Sequence, residues 1–444
     1  MMVEAFAIEK GLMKKVLLFV GTYFCFVSFV WTQSSNNENI KFIRAGKLFD
    51  SERGKILSDY TIKVKNNKII EVGNTITIPE NASIIDLSAY TVLPGLIDGH
   101  THLLHIENVK DKHPIANEVL FTGDALRALR GAKRAKSFLE SGFTTVRDLG
   151  NSGQFLDVAL KQAITEGTVV GPRMFVSGPI ISSEGGQVVG ILKHHHQITS
   201  NEYRIIKNVD DAINAVRENV NYGADIIKIC ANNTPNNTSL TIGEMRAVVK
   251  MAHRYNKKVT AHATSNLAVW EATTAGVDAI EHGYTIADST LTLMAKKGTV
   301  LVPTDISKKL LYKYFELLDF KGDVEKAVIS YQSRKRDRLQ RAIKADVTIL
   351  TGSDNYMDFE ISQGEAAKNI LVAYQEEGME PLDILRSSTY LSSKFMNMSN
   401  HIGVIKKGAF ADIIAVRGDL EKDFSDTIFN VVFVMKDGKV YIKE

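Results

Sequence analysis

After residue 93, short apolar runs rich in β-branched residues alternate with longer stretches whose apolar positions recur at helical spacing. The eight apolar runs cover 96–102, 144–149, 173–178, 225–230, 259–263, 279–283, 300–304 and 347–354. The helical pattern covers 117–141, 209–223, 241–256 (which opens with a Thr-Ile-Gly-Glu capping pattern), 267–275, 287–297 and 323–345. Eight strand–helix units over about 260 residues favour a closed (β/α)₈ barrel. An open doubly wound sheet is the alternative, but no glycine-rich phosphate-binding fingerprint supports it.

Both flanks of this alternating region are β-rich. In 40–93, two alternating runs are separated by an Asn-Asn pair at 66–67, which favours a tight turn. In 403–444, two further runs flank an Asp-Gly pair at 437–438, a second hairpin signal. Neither flank alone has enough strands to bury a sheet face. The sequence therefore predicts an α/β chain, with a (β/α)₈ TIM-like barrel over 94–402 and a small β-sandwich domain formed by both chain ends.

The first forty residues have a pattern of their own. Lys14 and Lys15 precede an apolar run that continues to Trp31, and polar residues follow from Gln33. A basic start, an apolar run and a polar exit are typical of a secretory signal, so residues 1–33 are predicted to direct export, to the periplasm or out of the cell. If the segment is cleaved, no stable membrane insertion is expected. The alternative is an uncleaved N-terminal anchor, although the run is short for a span of about 20 residues.

Composition and charge exclude several classes of protein. The 444-residue chain is 44% hydrophobic and 24% charged, which is ordinary for a globular protein and argues against a largely disordered one. Its 54 basic and 51 acidic side chains leave a net charge of +3, too little to indicate nucleic-acid binding. The two cysteines cannot form a disulfide framework, and loss of the export signal would leave Cys230 alone. A small-molecule substrate is the expected partner, and assembly into a homo-oligomer stays open.

Six residues with metal-ligand chemistry fall at the carboxyl ends of the predicted strands. They are His100, His102, Lys228, His262, His282 and Asp354. The first two lie two residues apart on one strand, so both rings point to the same face. In a barrel the carboxyl ends of all strands meet at one mouth, where the reaction site is built. Imidazole and carboxylate ligands suit Zn²⁺ best, with iron, manganese or cobalt as alternatives.

Lys228 requires a separate explanation, because burial and nearby divalent cations would both oppose the charge of its ammonium group. Reaction with CO₂ would convert the amine into a carbamate, an anionic oxygen ligand that is able to bridge two ions. The alternative is an ordinary lysine paired with an acidic neighbour.

These residues lie within motifs that resemble those of the amidohydrolase superfamily. The first-strand motif is LPGLIDGHTH at 93–102, and the later ones are GADIIK at 223–228, TAHA at 260–263, AIEHG at 279–283, GSD at 352–354, GMEP at 378–381 and KGAFAD at 407–412. As a set they are most similar to the branch that holds imidazolonepropionase-like proteins and metal-dependent Xaa-Pro dipeptidases, which are prolidase-like enzymes. The resemblance covers nearly all of the chain after residue 40.

The resemblance implies a centre of two divalent ions, with Zn²⁺ as the expected metal. The two histidines of the first strand and Asp354 would hold the more buried ion, and His262 and His282 the other. A CO₂-derived carbamate on Lys228 would bridge the ions together with a hydroxide. The hydroxide would attack a substrate carbonyl, and Asp354 would act as general base and acid by moving its proton to the leaving nitrogen. The reaction implied is hydrolysis of the amide bond of a dipeptide or an N-acyl amino acid.

The chain departs from this branch near the expected position of the substrate. Gln187 follows a Gly-Gly pair where many relatives carry histidine, and Thr264 stands two residues after the fifth-strand histidine where many carry tyrosine. These departures put dipeptide specificity in question. The triplet His194, His195 and His196, in the loop after the third strand, could supply a lost substrate contact. An exposed loop is the alternative for the triplet.

Four further polar residues near the predicted mouth are open to two interpretations. Arg147 and Asp148, at the end of the second strand, either support the metal ligands or are purely structural. His105 and His113, in the loop after the first strand, either line the mouth or lie on the surface.

Two other functions are compatible with the same residues. The first is a different hydrolytic reaction on the same barrel, with one metal ion: opening of a lactone or a cyclic amide, or deamination. The second is a binding module without catalysis, which would have no need of all six metal-site residues. Release of a free amino acid, of ammonia, or of neither distinguishes these functions.

Overall fold

The computed structural model describes residues 40–444, so the predicted export signal at 1–33 lies outside the described residues. Within 40–444, none of the helices is both long and apolar enough to cross a membrane. The strands, numbered in chain order, are β1 Ile40–Asp50, β2 Lys55–Lys65, β3 Lys68–Gly73, β4 Ser83–Pro94, β5 Leu96–Thr101, β6 Phe143–Asp148, β7 Arg173–Val176, β8 Ile180–Ser182, β9 Tyr203–Ile205, β10 Ile227–Cys230, β11 Val259–Ala263, β12 Ala279–His282, β13 Val300–Val302, β14 Ile413–Val416, β15 Val431–Lys436 and β16 Lys439–Lys443.

The α-helices mostly lie between the strands of the barrel. They are α1 Pro114–Phe121, α2 Asp124–Glu140, α3 Leu156–Glu166, α4 Gln197–Glu202, α5 Val209–Asn221, α6 Ile242–Arg254, α7 Asn266–Ala275, α8 Asp288–Lys297, α9 Lys308–Leu317, α10 Val324–Lys344, α11 Gln363–Glu376, α12 Pro381–Arg386, α13 Ser392–Phe395 and α14 Phe424–Thr427. The capping box at the start of α6 is confirmed, with Thr241 and Glu244 bonded reciprocally. The single helix predicted over 117–141 is wrong, because an extended backbone at Thr122 and Gly123 separates α1 from α2.

Strands from both chain ends join in one sheet. Its seven strands lie in the order β16-β15-β14-β4-β1-β2-β3, and β14 pairs antiparallel with β4. Both predicted hairpins are present, β2 with β3 and β15 with β16. Asn66 and Asp437 in their turns have φ of 56° and 48°, a conformation that Asn and Asp tolerate better than most residues. A small β domain built from both ends of the chain is therefore confirmed.

Parallel strands form two continuous parts of the barrel wall. β5, β6 and β7 pair side by side, and β10, β11, β12 and β13 do the same. Asp225 N and Ile226 N both donate to Val176 O, at 2.8 and 3.3 Å, which joins β7 to the chain that enters β10. The wall is therefore continuous from the third to the fourth barrel strand.

The eighth apolar run closes the ring, although it forms only one ladder bridge, between Leu301 and Ile349. On one side Leu350 N donates to Leu301 O at 2.9 Å, and on the other Gly99 N donates to Thr351 O at 2.9 Å. The strand predicted over 347–354 is shorter than expected, and it does not include Asp354, whose φ of 50° is one that no extended residue adopts. The predicted (β/α)₈ barrel is confirmed.

The barrel wall buries charged as well as aliphatic side chains. Side chains such as Ile229 and Ala261 are fully buried within the wall. Near the carboxyl ends of the strands, however, Arg147, Lys228 and Glu281 are each no more than 2% exposed. A buried charge is costly unless it is paired or bound to a metal. The mouth therefore requires a chemical explanation.

Candidate metal centre

One cavity of about 220 Å³ at the mouth of the barrel brings together all six predicted metal-site residues. Its lining includes His100, His102, Lys228, His262, His282 and Asp354. Each of them lies near or just after the carboxyl end of a barrel strand, and parallel strands direct those ends to the same mouth. The predicted set is therefore a spatial cluster, with the cavity as the place where a ligand can meet it.

Three of the donors converge tightly, and we call His100, His102 and Asp354 the three-donor group. Nε2 of His100 lies 3.3 Å from Nε2 of His102 and 3.4 Å from Oδ1 of Asp354, and Nε2 of His102 lies 3.1 Å from the same oxygen. Asp354 is fixed by its backbone, because its N donates to the carbonyl of His100 at 2.7 Å. Two imidazole nitrogens and a carboxylate oxygen at this spacing fit a divalent cation.

The second nitrogen of both first-strand rings is engaged, which fixes the orientation of each ring. Nδ1 of His100 donates to Oε2 of Glu281 at 2.8 Å, and Nδ1 of His102 donates to the carbonyl of Gly150 at 2.8 Å. Because a carboxylate and a carbonyl can only accept, each ring carries its hydrogen on Nδ1. The lone pair of Nε2 is then free for a metal, the arrangement usual for metal-binding histidines.

The remaining donors lie beside this group. The rings of His262 and His282 meet edge to face with centroids 4.5 Å apart, and Nδ1 of His282 lies 2.7 Å from Oγ1 of Thr304. Nζ of Lys228 lies 3.2 Å from Nε2 of His100. Within residues 40–444, no carboxylate is within ion-pair distance of that amine. The alternative of an ordinary lysine–carboxylate pair is therefore not realised.

Burial shifts the nitrogen donors toward their neutral forms. It lowers the pKa of His100 to about 4 and that of His262 to about 3, and the charge of Lys228 acts in the same direction. Burial also lowers the pKa of the Lys228 amine. For Asp354, burial would raise the pKa, but His100 and His102 outweigh it and hold the pKa below its usual value. Neutral imidazole and ionised carboxylate are the forms that bind a metal ion.

Glu281 connects the metal-site rings to the barrel interior, a role that the sequence analysis missed. Besides its bond to His100, its Oε1 accepts from Nη2 of Arg147 at 2.6 Å, and the hydroxyl of Thr260 also donates to it. Burial alone would raise the pKa of Glu281, but Arg147 and His100 outweigh it and hold the pKa well below its usual range. Arg147 thus supports a predicted ligand through Glu281. The available signal was a carboxylate inside an otherwise apolar strand, directly before His282.

Replacement of Glu281 by glutamine is expected to lower metal affinity by about 10- to 100-fold, because a neutral amide no longer polarises the ring of His100. It also leaves the buried guanidinium of Arg147 without a carboxylate, so the free energy of unfolding should fall by on the order of 3 kcal/mol. Calorimetric metal titration and urea unfolding measure the two effects. The exposed Glu421→Gln is the control for the same chemical change. Wild-type metal affinity in E281Q would contradict this role.

Two buried aspartates hold the segments that carry the ligands. Oδ1 of Asp98 accepts from the backbone N of His100 at 3.1 Å and of Ser353 at 2.9 Å, which joins β5 to the eighth barrel segment. Burial raises the pKa of Asp98 to about 6. Asp148 accepts from Leu103 N at 2.7 Å and so fixes the turn that follows the first metal-site strand. Both residues therefore act on the site through the backbone.

The predicted substrate contacts differ in their placement. Gln187 lines the cavity, and its amide nitrogen lies 3.3 Å from Nε2 of His262. Thr264 is not among the lining residues, since its N and Oγ1 are both bonded to the side chain of Asn232. The histidine triplet at 194–196 is exposed, and the structure does not bring it to the cavity, because these residues form the surface turn that leads into α4.

An imidazole between two carboxylates forms another part of the lining. Nε2 of His105 lies 2.9 Å from Oε1 of Glu107, and its Nδ1 contacts Glu118. Burial would lower the pKa of His105, but the two carboxylates outweigh it and raise the pKa to about 9. Its ring stacks on Tyr356, with centroids 6.5 Å apart. His113, the other loop histidine, is exposed at the start of α1 and does not line the cavity.

Comparisons with known proteins agree with this arrangement. The model of the Amidohydrolase family matches residues 91–441. Ochratoxinase from Aspergillus niger is 26% identical over 440 residues, which cover 92% of this chain and 88% of that protein. Its crystal structure has a TM-score of 0.78 at 23% identity, covering 92% of this chain and 96% of that one. The crystal structure of a Xaa-Pro dipeptidase with bound methionine in the active site has a TM-score of 0.79 at 28% identity, covering 91% of this chain and 100% of that one.

The matched region begins in β4, just before the first metal-site strand, and ends in β16. It therefore contains every residue of the candidate centre, the whole barrel and the C-terminal strands of the small β domain. Metal ions are generally used by this family, which agrees with the three-donor group. The resemblance drawn from the sequence motifs is confirmed: the chain is a hydrolase that acts on carbon–nitrogen bonds, and it belongs to the Amidohydrolase family.

Proposed function

We propose that the protein is a binuclear metal-dependent hydrolase that cleaves the amide bond of a dipeptide or an N-acyl amino acid. The observation that carries the proposal is the convergence of six donor side chains on one cavity. A relative of the same fold, the Xaa-Pro dipeptidase, acts on dipeptides, which supports this class of substrate.

Two ions, expected to be Zn²⁺, would divide the donors between them. The three-donor group would hold one ion, and His262 and His282 would hold the other. Lys228, as a carbamate formed with CO₂, would bridge the two. The support for the carbamate is that the amine of Lys228 is buried at 2% exposure, points at His100, and has no carboxylate partner within the described residues.

The protein side chains would bind the substrate and move one proton. Divalent ions, when bound, supply an activated water and polarise the substrate carbonyl. Oδ1 of Asp354 belongs to the three-donor group, whereas Oδ2 lies 3.6 Å from Nδ1 of His282 and is suited to carry the proton. Asp354 would accept that proton and give it to the leaving nitrogen. The amide of Gln187, beside His262, is suited to orient the substrate.

A mononuclear centre is the second candidate, and one observation favours it. Among the described residues, the three-donor group is the only set of three His, Cys, Asp or Glu ligands whose donor atoms all lie within 4.8 Å of one another. His262 and His282 stand outside that set. With a single ion, the same barrel would catalyse the opening of a cyclic amide or a lactone, or a deamination.

A hydrolysis screen combined with metal analysis tests the proposal. Protein supplied with Zn²⁺ is expected to hold about two ions per chain and to release free amino acids from a panel of dipeptides and N-acyl amino acids. Elemental analysis gives the metal content, and chromatography identifies the products. One ion with release of ammonia would indicate a deaminase, and one ion with ring opening a cyclic amidohydrolase or lactonase. Two ions with no amide hydrolysis across the panel would overturn the proposal.

A further inference from the structure

A second cavity of about 510 Å³, called the side pocket, opens next to the metal-site cavity. The two share Tyr284, Asp354 and Tyr356 in their linings. The volume of the side pocket is within the range of about 300–1,000 Å³ that is usual for small-molecule sites. A group attached to a bond held at the metal-site residues can therefore extend directly into the side pocket.

The wall of the side pocket is mostly apolar. It is built by the start of α9 and the residues before it, by the loop that follows Asp354, and by α11. Its apolar members are Ile306, Leu310, Leu311, Met357, Phe359, Ala366, Ala367 and Ile370. Tyr314 and Tyr331 add aromatic surface. Such a wall favours a bulky apolar or aromatic group over a small or polar one.

Two cations interrupt this apolar lining. Arg334, on α10, is exposed, and within residues 40–444 its side chain has no hydrogen-bond or ion-pair partner. Lys335 is buried, with Nζ 3.6 Å from the centroid of the Tyr284 ring and 3.4 Å from Oδ1 of Asp305. Asp305 does not neutralise both cations, because it is already paired with Arg338.

The carboxylates around the side pocket leave Arg334 unpaired. The lining of the pocket has two carboxylates: Asp305 faces Lys335 and Arg338, and Asp354 belongs to the three-donor group, so neither of them pairs with Arg334. A carboxylate at the Arg334 end would therefore meet an unpaired guanidinium, the group best shaped to bind it.

We propose that the side pocket binds the amino-acid half of the substrate, with a large apolar or aromatic side chain on the wall and the free carboxylate at Arg334. The inference rests on the proposed amide hydrolysis and narrows its substrates to N-acylated amino acids, dipeptides included, whose C-terminal residue is large and apolar. The amino-acid half carries the leaving nitrogen of the amide bond. It is assigned to the side pocket because Asp354, the proposed proton donor to that nitrogen, borders both cavities. Glycine in that position would leave the wall uncovered and should be a poor substrate.

The variant Arg334→Gln tests this with substrates that differ only in charge or size. In the metal-loaded wild type, kcat/KM for N-acetyl-L-phenylalanine should exceed that for N-acetylglycine, and that for the neutral N-acetyl-L-phenylalanine amide, by about tenfold or more. R334Q should raise KM for N-acetyl-L-phenylalanine about tenfold, with kcat nearly unchanged and the neutral substrate unaffected. Arg336→Gln, on the same helix but outside the side pocket, is the matched control and should behave as wild type.

Hydrocinnamate separates this inference from the proposed function, because it has the aromatic ring and the carboxylate but no amide bond. Calorimetry should show that the wild type binds it about tenfold more tightly than neutral hydrocinnamamide, and that R334Q loses this difference. Such binding in a protein that hydrolyses no acylated amino acid would refute the proposed function but would still support the side pocket as a site for an aromatic carboxylate. Equal KM values and equal hydrocinnamate binding in the wild type and R334Q, with hydrolysis intact, would overturn the side-pocket assignment.

Discussion

Exchange of Asp354 for asparagine is expected to lower kcat by about 10²- to 10⁴-fold while the protein stays folded. Asparagine keeps the size of the side chain, but it can neither accept the proton nor offer an anionic oxygen beside His100 and His102. The structural cost should be small, because the bond that fixes this segment runs from the backbone N of residue 354 to the carbonyl of His100 and is left in place. Steady-state kinetics at saturating Zn²⁺ give the effect, with circular dichroism and thermal unfolding as the check on folding.

Asp358→Asn is the matched control for this variant. Asp358 lies in the same loop, is exposed, and accepts a hydrogen bond from the backbone N of Glu360, away from the metal-site cavity. The control should keep wild-type kcat and wild-type metal content. Full activity in D354N would mean that neither proton transfer nor metal binding depends on this carboxylate, and the proposed mechanism would have to be abandoned.

The metal-site residues could be predicted because their placement follows from short-range patterns. The alternation of apolar runs and helices gives parallel strands, and parallel strands bring their carboxyl ends to one mouth. His100 and His102, two residues apart at and just after the end of β5, have their Nε2 atoms 3.3 Å from each other. The motif at 93–102 then supplies the resemblance to a family, which no single strand end could have indicated.

Contacts between distant segments could not be predicted in this way. Glu281 reaches His100 across 181 positions of the chain and Arg147 across 134, and no local pattern states which buried strand residues face each other inside the barrel. The positive φ of Asp354 is a further feature that the apolar pattern of 347–354 does not indicate, although aspartate tolerates it better than most residues. The side pocket combines α9, α10 and α11, whose separate patterns are those of ordinary barrel helices.

Lys228→Ala is expected to lower kcat/KM by about three orders of magnitude or more and to reduce the metal content from two ions toward one. If Lys228 is a carbamate, the variant loses an anionic bridge but gains a space beside His100 that a small carboxylic acid can enter. Added formate or propionate should therefore restore part of the activity and of the metal content in K228A, but not in D354N. Unfolding free energy should change little, because the amine has no carboxylate partner within residues 40–444 and its burial is itself unfavourable.

The carbamate also has a direct signature in the wild-type protein. Native mass spectrometry of the metal-loaded protein should find an added mass equal to one CO₂, absent from K228A and retained in Lys250→Ala, a change at an exposed residue of α6. Reconstitution in CO₂-depleted buffer should leave the second ion weakly bound, since the unmodified amine of Lys228 cannot bridge two cations, and added bicarbonate should restore its binding. A fully active protein that holds two ions with unmodified Lys228 would refute the carbamate. Failure of carboxylic acids to rescue K228A would also be evidence against it.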